Sequence, residues 1–180
     1  MSKSKNNEPL KMYRNGNWYR IPITDGHGRK WMSIEQMYQA AKFKENSKHY
    51  RKILALEYDD KNLSIIEASR DWGMKIWSLG NEANEDLREN WEEDKFDVMI
   101  VCVAYKMTNR QCADCVEELL ESGSNIITSP PSSKEDQWKH FMPALLMLNR
   151  DIISVKPCLT ALELVRSIYA KDGQMCRPWI

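Results

Sequence analysis

The sequence predicts a predominantly α-helical α+β domain with a short N-terminal β-hairpin. Three observations support this class. Apolar residues recur at helical spacing over most of the chain, two short apolar runs flank the glycine-containing turn "TDGHGR", and capping patterns precede several of the periodic segments. At 180 residues, with 42% hydrophobic and 29% charged residues, the chain has the length and composition of one globular core.

The domain is expected over residues 13–157. Residues 1–12 are polar and are predicted to be a flexible tail. Residues 158–180 are predicted to form a C-terminal helical extension packed on the domain, with a cap from Thr160 to Glu163. The oligomeric state is not predicted by any of these patterns.

The hairpin strands are expected within "NWYRIPI" and "KW". The first helix is predicted at about residues 34–45, because Ser33 and Gln36 form a capping-box pattern. Four apolar residues then recur on one face of an amphipathic helix: Ile34, Met37, Tyr38 and Ala41.

Helices dominate the rest of the chain. One is expected at 48–57, and another runs from the capping pattern of Ser64 and Glu67 to Gly80, which is predicted to be its C-cap. "WEEDKFDVMIVCVAYKM", residues 110–121 before Gly123, and residues 139–150 predict three more. "SNIIT" predicts a short strand, and "SPPSSKEDQW" predicts a loop because adjacent prolines interrupt both helix and strand.

Charge and hydropathy exclude some functional classes. Lys plus Arg and Asp plus Glu both number 26, so the chain lacks the net positive field typical of nucleic-acid-binding proteins, although a local basic pocket is compatible with this balance. No apolar run reaches the roughly 20 residues of a membrane span, and the N-terminal segment has no signal-peptide pattern. A cytoplasmic protein without membrane association is expected.

The five cysteines are expected to be reduced thiols. "CADC" places Cys112 and Cys115 at Cys-x-x-Cys spacing, but no second pair of ligands accompanies them. The pattern therefore favours an ordinary helix face over a zinc site. No metal and no cofactor are predicted.

Glu35 is a candidate catalytic residue at the start of the first helix. Free backbone N–H groups there favour an ionised carboxylate, which suits stabilising a developing cation or acting as a nucleophile at a glycosidic centre. Gln39 and Lys42 follow at i+4 and i+7 and form a polar strip suited to hydroxyls or a phosphate. The alternative is an acidic first-turn residue that only stabilises its helix.

Tryptophan offers a flat face for stacking a heterocycle, and the chain contains seven. Most are expected in the core, including Trp72 on the buried stripe of its helix. Trp91 stands in the polar stretch "LRENWEEDK", where a core role explains less, so it is a candidate for stacking. The alternative is a semi-exposed packing residue at a helix start.

Two segments together resemble one protein family. "GRKWMSIEQMYQAAKF" is similar to the stretch Trp-x-x-Ser-Glu-His-Tyr-x-Gln-Ala-x-Lys-Phe, and "LRENWEEDKFDVM" to Arg-x-x-Trp-x-x-x-Lys-x-x-Val-Met, of the NADAR or YbiA-like family. "NW" at Asn17, "LLESG" and "LLMLNR" add smaller matches. The resemblance covers about residues 17–151.

The resemblance implies a mostly helical α+β fold and cleavage of an N-glycosidic bond. Known members act on phosphoribosyl intermediates of riboflavin synthesis or on ADP-ribosyl groups attached to guanine in nucleic acid. The implied partner is therefore a small-molecule nucleotide or an ADP-ribosylated nucleobase, with nucleic acid as a potential substrate carrier.

The matched positions also imply roles for individual residues. Glu35 is expected to stabilise the ribosyl cation and Trp91 to stack on the heterocycle. Asp136, or Glu135 beside it, is expected to protonate the leaving nitrogen or activate water. The other positions predicted to bind substrate are Asn17, Trp31, Tyr38, Gln39, Lys42, Gly80, Asn81 and Trp138.

The sequence also departs from the family pattern. Gly80-Asn81 stands for Gly-Arg, Ile127 for a glutamate and Gln36 for a histidine, and the glycine-rich loop expected after Trp138 is replaced by "KHFMP". Two alternatives to an enzyme follow. One is a non-catalytic protein that binds NAD, ADP-ribose or a similar nucleotide, and the other is a structural helical domain whose tryptophans serve only as core.

Overall fold

The computed structural model describes residues 13–58, 62–82, 85–128, 136 and 138–154. A two-stranded antiparallel hairpin precedes six α-helices in the described part of the chain, which confirms the predicted α+β class. In order, the elements are β1 (Ile23–Thr24), β2 (Lys30–Trp31), α1 (Ile34–Ala41), α2 (Lys48–Leu54), α3 (Ile65–Gly80), α4 (Trp91–Thr108), α5 (Ala113–Glu121) and α6 (Trp138–Ser154). The predicted tail at 1–12 and the extension at 158–180 with its cap lie outside the described residues.

Helix α1 lies at the centre of the fold. All eight of its residues are buried, and it packs against α2, α3, α4 and β2. The predicted amphipathic helix is therefore covered on its polar side as well, because neighbouring helices pack against both faces. Ser33 begins α1 by accepting a 3.1 Å hydrogen bond from the Gln36 N–H, and Trp72 of α3 donates its indole N–H to the same Ser33 hydroxyl at 3.0 Å.

The chain leaves α1 earlier than the predicted residue 45. After Ala41 it pairs with the segment that leads into α4, through an antiparallel bridge between Phe43 and Leu87. The Lys44 N–H donates to the Asp86 carbonyl at 2.8 Å on one side of this bridge, and the Arg88 N–H donates to the Lys42 carbonyl at 2.9 Å on the other. These bonds connect the end of α1 directly to the start of α4.

The segment before the hairpin packs on helices instead of extending the sheet. The Asn17 carbonyl accepts the Glu35 N–H at 2.9 Å, and the Arg20 N–H donates to the Ser69 hydroxyl at 3.0 Å. The first strand is therefore only Ile23–Thr24, which lies opposite Lys30–Trp31. Residues 17–20 are held against α1 and α3 by these bonds.

Several predicted helix ends differ from the structure. Ser64 and Glu67 form a full capping box, whereas the Gln36 side chain accepts the Met32 N–H at 2.7 Å and so leaves the Ser33 cap one-sided. Helix α2 stops at Leu54, short of the predicted residue 57, and Gly80 is the last residue of α3 rather than its C-cap, which is Asn81.

The later part of the chain contains more helix and less strand than expected. The predicted helix at 110–121 divides into a 3-10 turn, Arg110–Cys112, and α5, after which Gly123 adopts a left-handed φ of 54°. Helix α6 is longer than predicted and continues through Pro143. Residues 124–128 form no strand, and Ile127 makes only an isolated bridge. None of the helices in the described residues is at once long and apolar enough to cross a bilayer.

Candidate functional site

The Glu35 carboxyl group is enclosed near the N-terminal end of α1. Its side chain belongs to a residue only 5% exposed. Gln39, one turn further along α1, donates its amide Nε2 to Glu35 Oε1 at 2.7 Å, and the Trp18 side chain of the N-terminal segment interacts with the same carboxyl group. The hydrogen bond from Gln39 therefore orients the carboxyl group within α1.

Burial determines the protonation of Glu35. It raises the pKa of Glu35 above its ordinary value, while the hydrogen bond from Gln39, the charge of Lys42 and the hydrogen bond from Trp18 oppose this change. The expectation that the helix start favours the ionised form is wrong about the net effect. The Asn17 carbonyl already accepts the Glu35 N–H, and the surrounding helices exclude the water that would solvate the charge.

The polar strip that follows Glu35 is continuous in the structure. Lys42 Nζ donates to the Gly80 carbonyl at 3.2 Å and to Asn81 Oδ1 at 3.3 Å, at the end of α3. Partial burial lowers the pKa of Lys42, and the Glu35 carboxylate opposes that effect. The structure thus brings six of the predicted site positions together: Asn17, Glu35, Gln39, Lys42, Gly80 and Asn81.

Two glycines of α3 allow α1 and the N-terminal segment to approach closely. A Cβ at Gly80 would lie 1.9 Å from Gln39 Oε1, and one at Gly73 would lie 2.4 Å from Trp18 Cγ. Sequence reasoning explained Gly80 as a helix terminator and did not consider Gly73. A glycine within a helix is unfavourable unless packing requires it. Gly73 was therefore the available signal that another group packs closely against α3, and in the structure this group is the Trp18 ring.

Two buried acceptor atoms lie close to Glu35. Asn17 Oδ1 and Gln39 Oε1 have no hydrogen-bond partner among the residues that the structure describes. Both residues bond directly to Glu35, one through its backbone carbonyl and the other through its amide nitrogen. Buried polar atoms are normally satisfied, and oxygen acceptors of this kind match the hydroxyl donors of a sugar.

Aromatic rings pack around Tyr38, which follows Glu35 by one turn of α1. The Tyr38 ring meets Trp91 edge-on at 5.0 Å and Trp138 at 5.4 Å between centroids, and Phe96 and Phe141 pack on Trp138. Trp91 is the first residue of α4, but it is only 6% exposed, so the semi-exposed position weighed for it is wrong. Burial also raises the pKa of Tyr38, with the Glu35 charge acting in the same direction.

Asp136 lies at the start of α6. Its Oδ1 accepts the Trp138 backbone N–H at 2.9 Å, which is the bond of a helix cap. The Trp138 ring then extends toward Tyr38 in α1. Glu135, the other candidate for the loop acid, lies outside the described residues.

Trp31 belongs to a different cluster from Glu35. Its indole N–H donates to Asp25 Oδ2 at 2.9 Å, its ring meets Tyr50 edge-on at 6.1 Å, and Asp25 also binds Arg29. Trp31 is 1% exposed and contributes to the core beneath the hairpin. These contacts account for Trp31 as a packing residue, and a role in substrate binding stays a prediction.

The candidate metal ligands form no cluster in the described part of the chain. No group of three or more His, Cys, Asp or Glu side chains there could hold a metal ion. Cys102, Cys112 and Cys115 are buried free thiols. Cys158 and Cys176 lie outside the described residues.

Comparisons with known proteins identify the fold. No protein-family model matches the chain, and no curated protein matches it in sequence. Among solved structures, the NMR structure of the Escherichia coli protein YbiA is similar, with a TM-score of 0.60 and 21% sequence identity over 79% of each chain. The chain therefore has a YbiA-like α+β fold, and this degree of likeness concerns the fold alone.

Proposed function

We propose that this protein is an N-glycoside hydrolase that cleaves the bond between a ribosyl carbon and a base nitrogen in a nucleotide-type substrate. The observation that carries the proposal is the buried Glu35 carboxyl group, which accepts a hydrogen bond from Gln39 and shares α1 with a polar strip and with Tyr38, whose ring meets Trp91. The YbiA-like fold and the two motif segments support the same class.

In the proposed reaction, the N-glycosidic bond breaks and its electron pair goes to the base nitrogen. The ribosyl carbon then has oxocarbenium character, and the ionised form of Glu35 stabilises this positive charge. A charge interaction of this kind is stronger in a buried site than in water. Water adds to the ribosyl carbon, and the proton that it loses balances the one taken up by the base.

The other side chains have separate tasks in this proposal. Asn17 Oδ1 and Gln39 Oε1 accept ribose hydroxyls, and Lys42 binds a phosphate of the substrate. Trp91 and Trp138 contact the heterocycle. Asp136 protonates the leaving nitrogen or activates water, and this task requires that it leave or share its bond with the Trp138 N–H.

A matched set of variants tests the proposal. Wild type, Glu35→Gln and Glu57→Gln are incubated with riboflavin-pathway pyrimidine phosphoribosides, NAD, ADP-ribose and ADP-ribosylated guanosine, and released base is measured by mass spectrometry. Glu57 is exposed and serves as the control. We expect one compound to be cleaved by wild type and by Glu57→Gln, and at least ~100-fold more slowly by Glu35→Gln. Full turnover by Glu35→Gln would overturn the assignment.

A nucleotide-binding protein without catalysis is the second candidate. It is favoured by one observation, that Asp136 is already engaged as the cap of α6 and is therefore satisfied in a purely structural role. Calorimetry with the same compounds distinguishes the two functions. Binding by wild type without release of base from any compound supports the second candidate.

A further inference from the structure

Cys112 and Cys115 form a pair outside the Glu35 site. Cys112 ends the 3-10 turn and is the N-cap of α5, and Cys115 lies in the first turn of that helix. Helical geometry separates Cα atoms three residues apart by about 5 Å, within the range that a disulfide spans. Both thiols face the chain segment at 14–22, so they lie on one side of the start of α5.

The N-terminal segment lies directly on this pair. The Cys115 thiol donates to the Arg14 carbonyl at 3.4 Å and the Cys112 thiol to the Pro22 carbonyl at 3.7 Å. Asn15 Nδ2 donates to the Cys115 carbonyl at 2.8 Å. Both cysteines are 0% exposed, so their reaction with a dissolved thiol requires local opening at the start of α5.

A buried amine, that of Lys106, lies next to the two thiols, and burial lowers its pKa. Lys106 of α4 is 0% exposed, and its Nζ also donates to the Arg14 carbonyl. The neighbouring Cys112 thiol lowers the pKa of Cys115, and burial opposes this effect. Lys106 lowers the pKa further, whereas Glu118 and Asp114 raise it. A lysine beside a Cys-x-x-Cys pair at a helix start favours the thiolate that exchanges with disulfides.

We propose that Cys112 and Cys115 are a redox-active dithiol that is converted reversibly to an intrachain disulfide by a low-molecular-weight disulfide. The Cys115 thiolate attacks glutathione disulfide and releases one glutathione thiolate. The Cys112 thiol then loses its proton to solvent, and its thiolate attacks the Cys115 sulfur of the mixed disulfide and releases the second glutathione as a thiolate. Two protein thiols are oxidised, and one glutathione disulfide is reduced to two glutathione thiols.

Peptide mapping tests this proposal on the folded, full-length chain. The protein is incubated for about a day in buffers of graded ratios of glutathione to glutathione disulfide, because uncatalysed exchange takes minutes to hours. The protein is then unfolded in guanidinium chloride at mildly acidic pH, its free thiols are blocked there with N-ethylmaleimide, and the chain is cut with trypsin. The peptide at 111–134 contains Cys112 and Cys115 and no other cysteine.

In oxidising buffers we expect this peptide to become unalkylated and about 2 Da lighter than the dithiol form, and to regain both alkyl groups after dithiothreitol. The peptide at 96–106, which contains only Cys102, is the internal control and stays singly alkylated. In Cys112→Ser, Cys115 is expected to carry one glutathione instead of a disulfide. A wild-type peptide that stays doubly alkylated in the most oxidising buffer would overturn the proposal, as would pairing of either cysteine with another part of the chain.

Discussion

Gln39 connects the Glu35 carboxyl group to the end of α3. Its Nε2 donates to Glu35 Oε1 at 2.7 Å, and its Oε1 occupies the space beside Gly80 where any larger residue would place a Cβ. The orientation of the Glu35 carboxyl group therefore depends on Gly80, although Gly80 does not contact that group. Helices α1 and α3 must keep their present separation for the hydrogen bond between Gln39 and Glu35 to form.

Gly80→Ala is expected to impair turnover more than its small change in volume suggests. The new methyl group would lie 1.9 Å from Gln39 Oε1, so Gln39 must move and its bond to Glu35 is lost. We expect kcat/KM to fall by about 10-fold or more and the free energy of unfolding to fall by about 1–3 kcal/mol. Ser78→Ala, on an exposed position two residues earlier, is the control. Wild-type kcat/KM in Gly80→Ala would show that Gln39 does not orient Glu35.

Glu35→Gln is expected to be more stable than wild type at neutral pH. Burial raises the folded-state pKa of Glu35 above its ordinary value of 4.5, so the folded state binds more protons than the unfolded state between these two values. The stability of wild type therefore falls as pH rises through this interval, and the glutamine variant lacks this decrease. Thermal melts from about pH 4 to 8 measure the difference, with Glu57→Gln as the control. Parallel melting curves for wild type and Glu35→Gln would contradict the effect of burial.

Two substitutions of Asp136 distinguish a helix-capping role from a role as proton donor. Asparagine retains an oxygen that can accept the Trp138 N–H, whereas alanine does not. If Asp136 only caps α6, Asp136→Asn retains the wild-type kcat, and Asp136→Ala lowers the free energy of unfolding by about 1 kcal/mol. We expect instead that kcat falls about 100-fold or more in both variants, while only Asp136→Ala melts at a lower temperature. Full turnover by Asp136→Asn would remove Asp136 from the chemistry.

Trp91→Phe is expected to weaken ligand binding while the fold is retained. Trp91 is 6% exposed and meets Tyr38 edge-on, so the smaller ring leaves space in a packed site and reduces contact with the heterocycle. We expect Kd to rise about 10-fold and stability to fall by about 1–2 kcal/mol. Trp77 is 49% exposed, and Trp77→Phe is expected to change stability by less than about 0.5 kcal/mol. An unchanged Kd in Trp91→Phe would place the ligand elsewhere.

Local patterns in the sequence were sufficient to predict most helices. Ser64 with Glu67 predicted the start of α3, and the polar strip from Glu35 to Lys42 predicted side chains that do lie together. Both features depend on residues within two turns of one helix, where spacing determines which side chains are neighbours.

Features that depend on distant parts of the chain were not predictable in this way. The protonation of Glu35 depends on burial by other helices, and the contact of Trp18 with Gly73 joins positions 55 residues apart. The hairpin was also predicted too long, because residues 17–20 bond to α1 and α3 instead of to a partner strand. Tertiary contacts determined the outcome at each of these positions.

Helix α1 has eight residues, fewer than the roughly 12–15 that a helix needs to be marginally stable alone in water. It therefore exists because α2, α3 and α4 surround it, and its backbone amides should exchange with deuterium only when the whole domain unfolds. Since the Glu35 amide belongs to this protected set, the carboxyl group takes its position only when folding is complete. The position of the Glu35 carboxyl group is therefore a property of the complete tertiary structure and not of α1 alone.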